Sequence, residues 1–140
     1  MWRIKPSLDE INAMSRNTMV EHLGIVVTAI GDDYIEARMP VDKRTHQPMG
    51  LLHGGASVVL AETLGSFAGY LCVNPAEKAC VGLEINANHI RSVREGFVVG
   101  RATPRHIGKT TQVWDITITT EDAKLVCVSR LTIQVLDIAK

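Results

Sequence analysis

Residues 51–73 read LLHGGASVVLAETLGSFAGYLCV. After His53, Gly54 and Gly55 it runs apolar or small on every side through Leu60, Leu64, Phe67, Ala68 and Leu71. A helix that is apolar all round belongs in a core. It is shorter than a comfortable membrane span, and its flanks offer no second apolar candidate. Glu62 is the only charged residue between His53 and Glu77. A carboxylate in such a helix is costly unless it is neutralised, paired or hydrogen-bonded. Two readings of it stand side by side: a structural ion pair or interface acid, and a functional group.

Gly54 and Gly55 fit the mouth of the helix, where free N–H groups and the dipole favour negative charge. An oxyanion could be held there. Glu62 lies about 12 Å further along the axis at the usual helical rise. One carbonyl cannot touch both ends of that span. If both groups serve one reaction, they come from two antiparallel copies of the helix across a dimer interface. Ser66, at i+4, shares the face of Glu62 and is placed to orient its carboxylate or an attacking water. Gly65 and Gly69 leave room for another backbone, or for the side chains of packed strands.

Working outward, the 140 residues fit one domain, 1–140, with one substantial core. Fifteen basic and fifteen acidic side chains balance, which argues against a general nucleic-acid or anionic-membrane binder. The N-terminus lacks the apolar region of a signal peptide. Cys72, Cys80 and Cys127 are odd in number and not closely paired. They read as reduced thiols of a cytoplasmic protein, with neither a disulfide framework nor a zinc site.

Upstream, Ser7 with Glu10 forms a capping box for a short helix over Leu8 to Met14, and a second helical piece is expected over Thr18 to Leu23. GIVVTAIG (24–31) and YIEARMPV (34–41) read as strands joined by a turn at Gly31–Asp33. The segment 42–49, flanked by Pro40 and Pro48, is an irregular loop that delivers the chain to the central helix. Downstream, Asn74–Pro75 stops the helix. Four strands are expected over 79–90, 97–107, 111–119 and 125–136, with breaks at 94–96, 108–109 and 121–123. Connections this short suggest antiparallel meander neighbours. The layout is an α+β fold: a mainly antiparallel six-stranded sheet wrapped on a long central helix.

Three segments carry a family resemblance: HQPMGLLHGGASVVLAETLGS (46–66), VGLEINANHIRSVREG (81–96) and TPRHIGKTTQVW (103–114). Together they resemble the hotdog-fold acyl-CoA thioesterases, of the small bacterial type related to 4-hydroxybenzoyl-CoA and phenylacetate-pathway enzymes. Members of this type act on aromatic acyl-CoAs, among them benzoyl-CoAs and 1,4-dihydroxy-2-naphthoyl-CoA, and on aryl-carrier-protein thioesters. The resemblance implies dimers paired into a homotetramer, with the active site at the dimer interface. It implies no cofactor, since coenzyme A is part of the substrate. Glu62 is implied as the catalytic carboxylate, acting as nucleophile or as general base for water, with Ser66 assisting. Gly54 is implied to offer its N–H to the thioester oxygen from the opposite subunit, with Gln47 and His53 polarising that side. Met49 borders the acyl site and stands where relatives more often carry phenylalanine, which bears on acyl preference. Val81 and Gly82 are also implied to face the substrate.

His89, Arg91 and Arg94 form a cationic strand end, readable as a solvated turn or as a grip on coenzyme A phosphates. Gly108, Lys109 and Thr110 carry the same two readings. His46 reads as a solvated loop residue, and Trp114 as core or interface. His46, His53 and Glu62 lack the i, i+4 spacing of a zinc hydrolase. The reaction expected is hydrolysis of a thioester to a free acid and coenzyme A. A carrier-protein thioesterase, a non-catalytic acyl-CoA-binding module and a hotdog dehydratase are the rivals.

Overall fold

The structure, a computed structural model, describes residues 1–139. Helix α1 (Leu8–Ala13) opens with the expected capping box, since Ser7 accepts from the Glu10 N–H and the Glu10 side chain accepts from the Ser7 N–H. Helix α2 (Met19–His22) is capped by Thr18. Strands β1 (Val26–Ile30) and β2 (Ile35–Pro40) form a hairpin. Helix α3 (Gly54–Leu71) follows, and then β3 (Lys78–His89), β4 (Phe97–Ile107), β5 (Thr111–Thr120) and β6 (Leu125–Asp137).

All six strands form one antiparallel sheet in the order β1-β2-β4-β5-β6-β3. The α+β architecture is the one expected, but one adjacency differs. β3 and β4 are not meander neighbours. β3 pairs along its whole length with β6, from Lys78 opposite Asp137 to His89 opposite Cys127. The physical reason is reach. Residues 90–96, extended, span about 23 Å, and crossing three strand spacings needs only about 14 Å. Gap length alone therefore did not reveal the crossing.

Helix α3 lies against strands β2 to β6. Leu60, Ala61, Leu64, Ala68 and Leu71 are fully buried, opposite Ile116, Ile118, Leu131 and Ile133 of the sheet. Gly65 and Gly69 serve strand packing: a Cβ on Gly65 would stand 2.5 Å from Leu131 Cδ2, and one on Gly69 2.8 Å from Ile133 Cδ1. Trp114 is fully buried and stacks on Trp2, with ring centroids 6.1 Å apart. The N-terminal strap closes the far end of α3, where the Arg3 and Ile4 N–H groups both donate to the Leu71 carbonyl. Replacing Leu64 with Ala should destabilise the protein by about 2–5 kcal/mol, read as a lower midpoint in urea unfolding. A change below about 1 kcal/mol would show that α3 is not the packing centre.

The expectation of a helix buried on all sides holds only in part. Val59, Glu62, Ser66 and Tyr70, at helical spacing, form a half-exposed stripe beside β3. β3 itself is a long sheet edge with β6 on one side only. Val81 and Leu83 project from it, Leu83 with 59 % of its surface exposed. No helix among the described residues is long and apolar enough to span a membrane.

Candidate active site

The entry to α3 is built by a histidine cap. His53 is extended (φ −69°, ψ 130°), and its Nδ1 accepts the Gly55 N–H at 2.7 Å. With Nδ1 so engaged, the neutral ring carries its proton on Nε2 and presents a donor outward. The His53 carbonyl accepts the Ala56 and Ser57 N–H groups. Of the first four helical N–H groups, those of residues 55–57 thus have acceptors, and the hydrogen bonds of the described residues leave only Gly54's free. The ring of His89, at the end of β3, covers this turn so closely that a Cβ on Gly54 would lie 2.7 Å from its Nε2. A side chain at position 54 would have to push that ring aside.

Gln47 reaches the same mouth from the preceding loop. Its Oε1 accepts the Met49 N–H at 2.5 Å, while its own N–H and C=O tie to Leu51 and Gly50. The side-chain NH₂ is left as a donor. Gln47, Gly54, His89 and Arg91 together line a cavity of about 310 Å³ whose remaining walls include Leu51, Leu52, Ile90 and Val126. The Met49 side chain is 73 % exposed on the loop outside. Arg94 does not reach the cavity. Its recorded contact is through its backbone carbonyl, 2.7 Å from Nε2 of His46, so His46 is a loop tie where solvation was expected.

Glu62 stands elsewhere, on the half-exposed stripe and against the β3 edge. A Cβ on Gly82 would come within 2.5 Å of Glu62 Oε1, so the glycine makes room for the carboxylate. Among the described residues Glu62 has neither an ion-pair nor a hydrogen-bond partner, and an intrachain structural ion pair is thereby removed as its explanation. Burial raises its pKa above the usual carboxylate range. Ser66 shares its stripe without hydrogen-bonding to it. Gly82 lies beside it on the exposed edge, whereas the alternation of β3, with Cys80 and Gly82 toward α3, turns Val81 to the opposite face, away from the carboxylate it was expected to join.

One chain therefore presents two half-sites: Gln47, His53, Gly54, His89 and Arg91 at the mouth of α3, and Glu62, Ser66 and Gly82 two turns on. The Gly108–Thr110 turn is a third location. Gly108 and Lys109 border a cleft of about 220 Å³ at the opposite end of α3, with Arg3, Cys72, Lys78 and Gln112. Thr110 uses its carbonyl to hold the Val135 N–H. Burial pushes the Cys72 thiol up to about 11, and Cys80 and Cys127 upward too, which leaves all three poor nucleophiles at neutral pH. An open depression of about 410 Å³ on the outer sheet face, around Arg105, Asp115 and Arg130, lies away from α3, and its charges already pair with one another. Among the described residues no cluster of His, Cys, Asp and Glu is placed to hold a metal ion.

Residues missed from the sequence are Leu51, Leu52, Ser57, Ile90, Ser92 and Val126, all lining the cavity at the mouth. For Ser57 a signal existed. It occupies the fourth helical position, where an apolar side chain commonly packs on the residue before the cap, here Leu52.

Residues 49–127 match the family model described as the thioesterase superfamily. The 1,4-dihydroxy-2-naphthoyl-CoA hydrolase of Escherichia coli is 57 % identical over 136 residues, covering 97 % of this chain and 99 % of its own. The proofreading thioesterase EntH of Cronobacter sakazakii is 53 % identical over 136 residues, covering 97 % and 98 %. The crystal structure of a mutant of thioesterase PA1618 from Pseudomonas aeruginosa superimposes with a TM-score of 0.96 at 52 % identity, covering 98 % of this chain and 99 % of that one.

Proposed function

Since the chain belongs to the thioesterase superfamily and hydrolyses thioesters through a hotdog fold, we propose that its substrate is an aromatic acyl-CoA of the 1,4-dihydroxy-2-naphthoyl or benzoyl kind, cleaved to the free acid and coenzyme A. The observation that carries the site assignment is the Gly54 N–H, the one helix-mouth donor without an acceptor. It takes the thioester oxygen and stabilises the negative charge that develops there. One such donor is worth about 2.7–4 kcal/mol of transition-state stabilisation. The Gln47 NH₂ and the outward Nε2–H of His53 polarise the same side.

Glu62 supplies the other half of the chemistry, from the second copy of the chain. The β3 edge supports this arrangement. It is twelve residues long, unpaired on one side, and carries no proline, so it is a template for another strand. Along β3, Gly82 touches Glu62 and His89 touches Gly54. An antiparallel β3–β3 pairing with its two-fold axis beside Ile85 and Asn86 sets Gly82 of each copy across from the His89 region of the other. Glu62 then faces the partner's Gly54. In that shared site the carboxylate either attacks the carbonyl carbon or takes a proton from the attacking water, with Ser66 alongside. The same pairing covers the half-exposed stripe of α3, and pairing of two such dimers yields a tetramer.

Arg91, on the cavity wall, serves the coenzyme A phosphates. Arg91→Ala should raise KM for acyl-CoA several-fold and flatten its salt dependence, while leaving turnover of an acyl-pantetheine unchanged. Equal losses on both substrates would assign Arg91 to structure instead.

A carrier-protein thioester is the second reading, favoured by the likeness to a relative named as a proofreading thioesterase. Steady-state kinetics on aromatic and aliphatic acyl-CoAs beside an aryl-carrier-protein thioester test both. The acyl-CoA reading predicts the highest kcat/KM on an aromatic acyl-CoA. Uniformly slow rates on every acyl-CoA, with fast hydrolysis of the carrier thioester, would replace it.

A further inference from the structure

Ser57 is buried to 1 % exposure, yet its hydroxyl makes no hydrogen bond among the described residues and borders the cavity shared with Gln47 and Gly54. A helical serine ordinarily satisfies itself on the carbonyl four residues back. That carbonyl, of His53, is already taken by the Ala56 and Ser57 N–H groups. The neighbouring walls are Leu51, Leu52, Ile90 and Val126, so the hydroxyl is a polar point in a largely apolar recess. The hydroxyl is not sealed in the core, where Ser15 Oγ is the buried side-chain oxygen without a partner among the described residues; it opens on the cavity and is free to meet a ligand there. Conflict with local packing preference is expected where a site is functional.

Its place on α3 suggests what it reads. Three residues of helix separate Ser57 from Gly54, a rise of about 4.5 Å, and a helical side chain leans back toward the N-terminus. The Ser57 hydroxyl therefore lies just beyond any oxygen held by the Gly54 N–H. In an aromatic acyl group with a hydroxyl ortho to the thioester, the carbonyl and phenolic oxygens are hydrogen-bonded about 2.6 Å apart. Two donors one helical turn apart on the wall of one cavity match two such acceptors, with the Gly54 N–H on the carbonyl and Ser57 on the phenolic oxygen. The phenolic proton is engaged with the carbonyl, so its oxygen is free to accept. We propose that Ser57 is the specificity-determining residue for aromatic acyl groups that carry a hydroxyl ortho to the thioester carbonyl. The inference rests on the aromatic acyl-CoA reading above.

The test is a comparison of kcat/KM for 2-hydroxybenzoyl-CoA and benzoyl-CoA, in the full-length wild type and in Ser57→Ala. The ortho hydroxyl also alters the intrinsic reactivity of the thioester, so the readout is the change in the ratio between the two proteins. Loss of one hydrogen bond should lower the ratio by about fivefold or more. Ser57→Cys, similar in shape but a weak donor, should give an intermediate ratio. An unchanged ratio, whether both rates hold or both fall together, overturns the assignment. Hydrolysis of neither substrate by the wild type overturns the aromatic reading and this inference with it.

Discussion

Glu62→Gln should lower kcat/KM by at least about 10²-fold, the lower bound typical of a positioned base, while leaving assembly and substrate binding intact. The amide keeps the shape of the carboxylate and removes its charge. Among the described residues no ion pair or hydrogen bond depends on that charge, so folding has little to lose. In the wild type the carboxylate must be ionised to act. Burial raises its pKa, so activity should fall with a single ionisation as pH drops, and the midpoint should lie above the ordinary glutamate range. Glu62→Asp, with its carboxylate drawn back by one methylene, should retain part of the rate. Near-normal turnover in the Gln variant, with the acid limb unmoved, would remove Glu62 from the mechanism.

Mixing two inactive proteins should restore activity. In Glu62→Gln the mouth of α3 is intact. In Gly54→Ala the carboxylate is intact, but the new methyl group meets the His89 ring and crowds the N–H. Each protein alone should fall about 10²-fold or more. After subunit exchange, half of the two-fold dimers are hybrids with one complete site of two, so activity should approach about a quarter of wild type. Mass-tagged subunits establish whether exchange has taken place. Hybrids that form without recovery would show that each site is built within a single chain.

What the sequence made legible was local. The His53–Gly54–Gly55 entry, the capping box at Ser7, the alternation through β2 and β5 and the stop at Asn74–Pro75 are all written in neighbouring residues. The separation of Gly54 from Glu62 followed from helical rise alone. What stayed hidden depends on residues far apart in the chain. Nothing local to 78–89 says that this strand lies beside β6 and not β4. The approach of His89 to Gly54, and of Gly82 to Glu62, follows from that placement and was equally hidden. Arg91 and Arg94 look alike in sequence, yet only Arg91 lines the cavity, while Arg94 meets His46 through its backbone carbonyl. Ser57 sat unremarked among alanines and valines. Its signal was local all the same: it holds the fourth helical position, five residues after Leu52, where an apolar side chain is usual.

The pairing of β3 with β6 also shapes how the chain reaches its fold. Lys78 and Asp137, joined by a salt bridge at one end of the ladder, stand 59 residues apart, so β3 cannot find its place until the last strand exists. β4, β5 and β6 close through tight turns and can zip early, whereas β3 must close a long loop, an entropically slow step. On the ribosome, a chain made as far as β5 holds a finished helix and a strand with no neighbour. Residues 78–89 then stay unpaired on both edges until β6 emerges. The strand that ends as the open edge of the sheet is thus also among the last to be docked, and it is sticky for the whole of that interval.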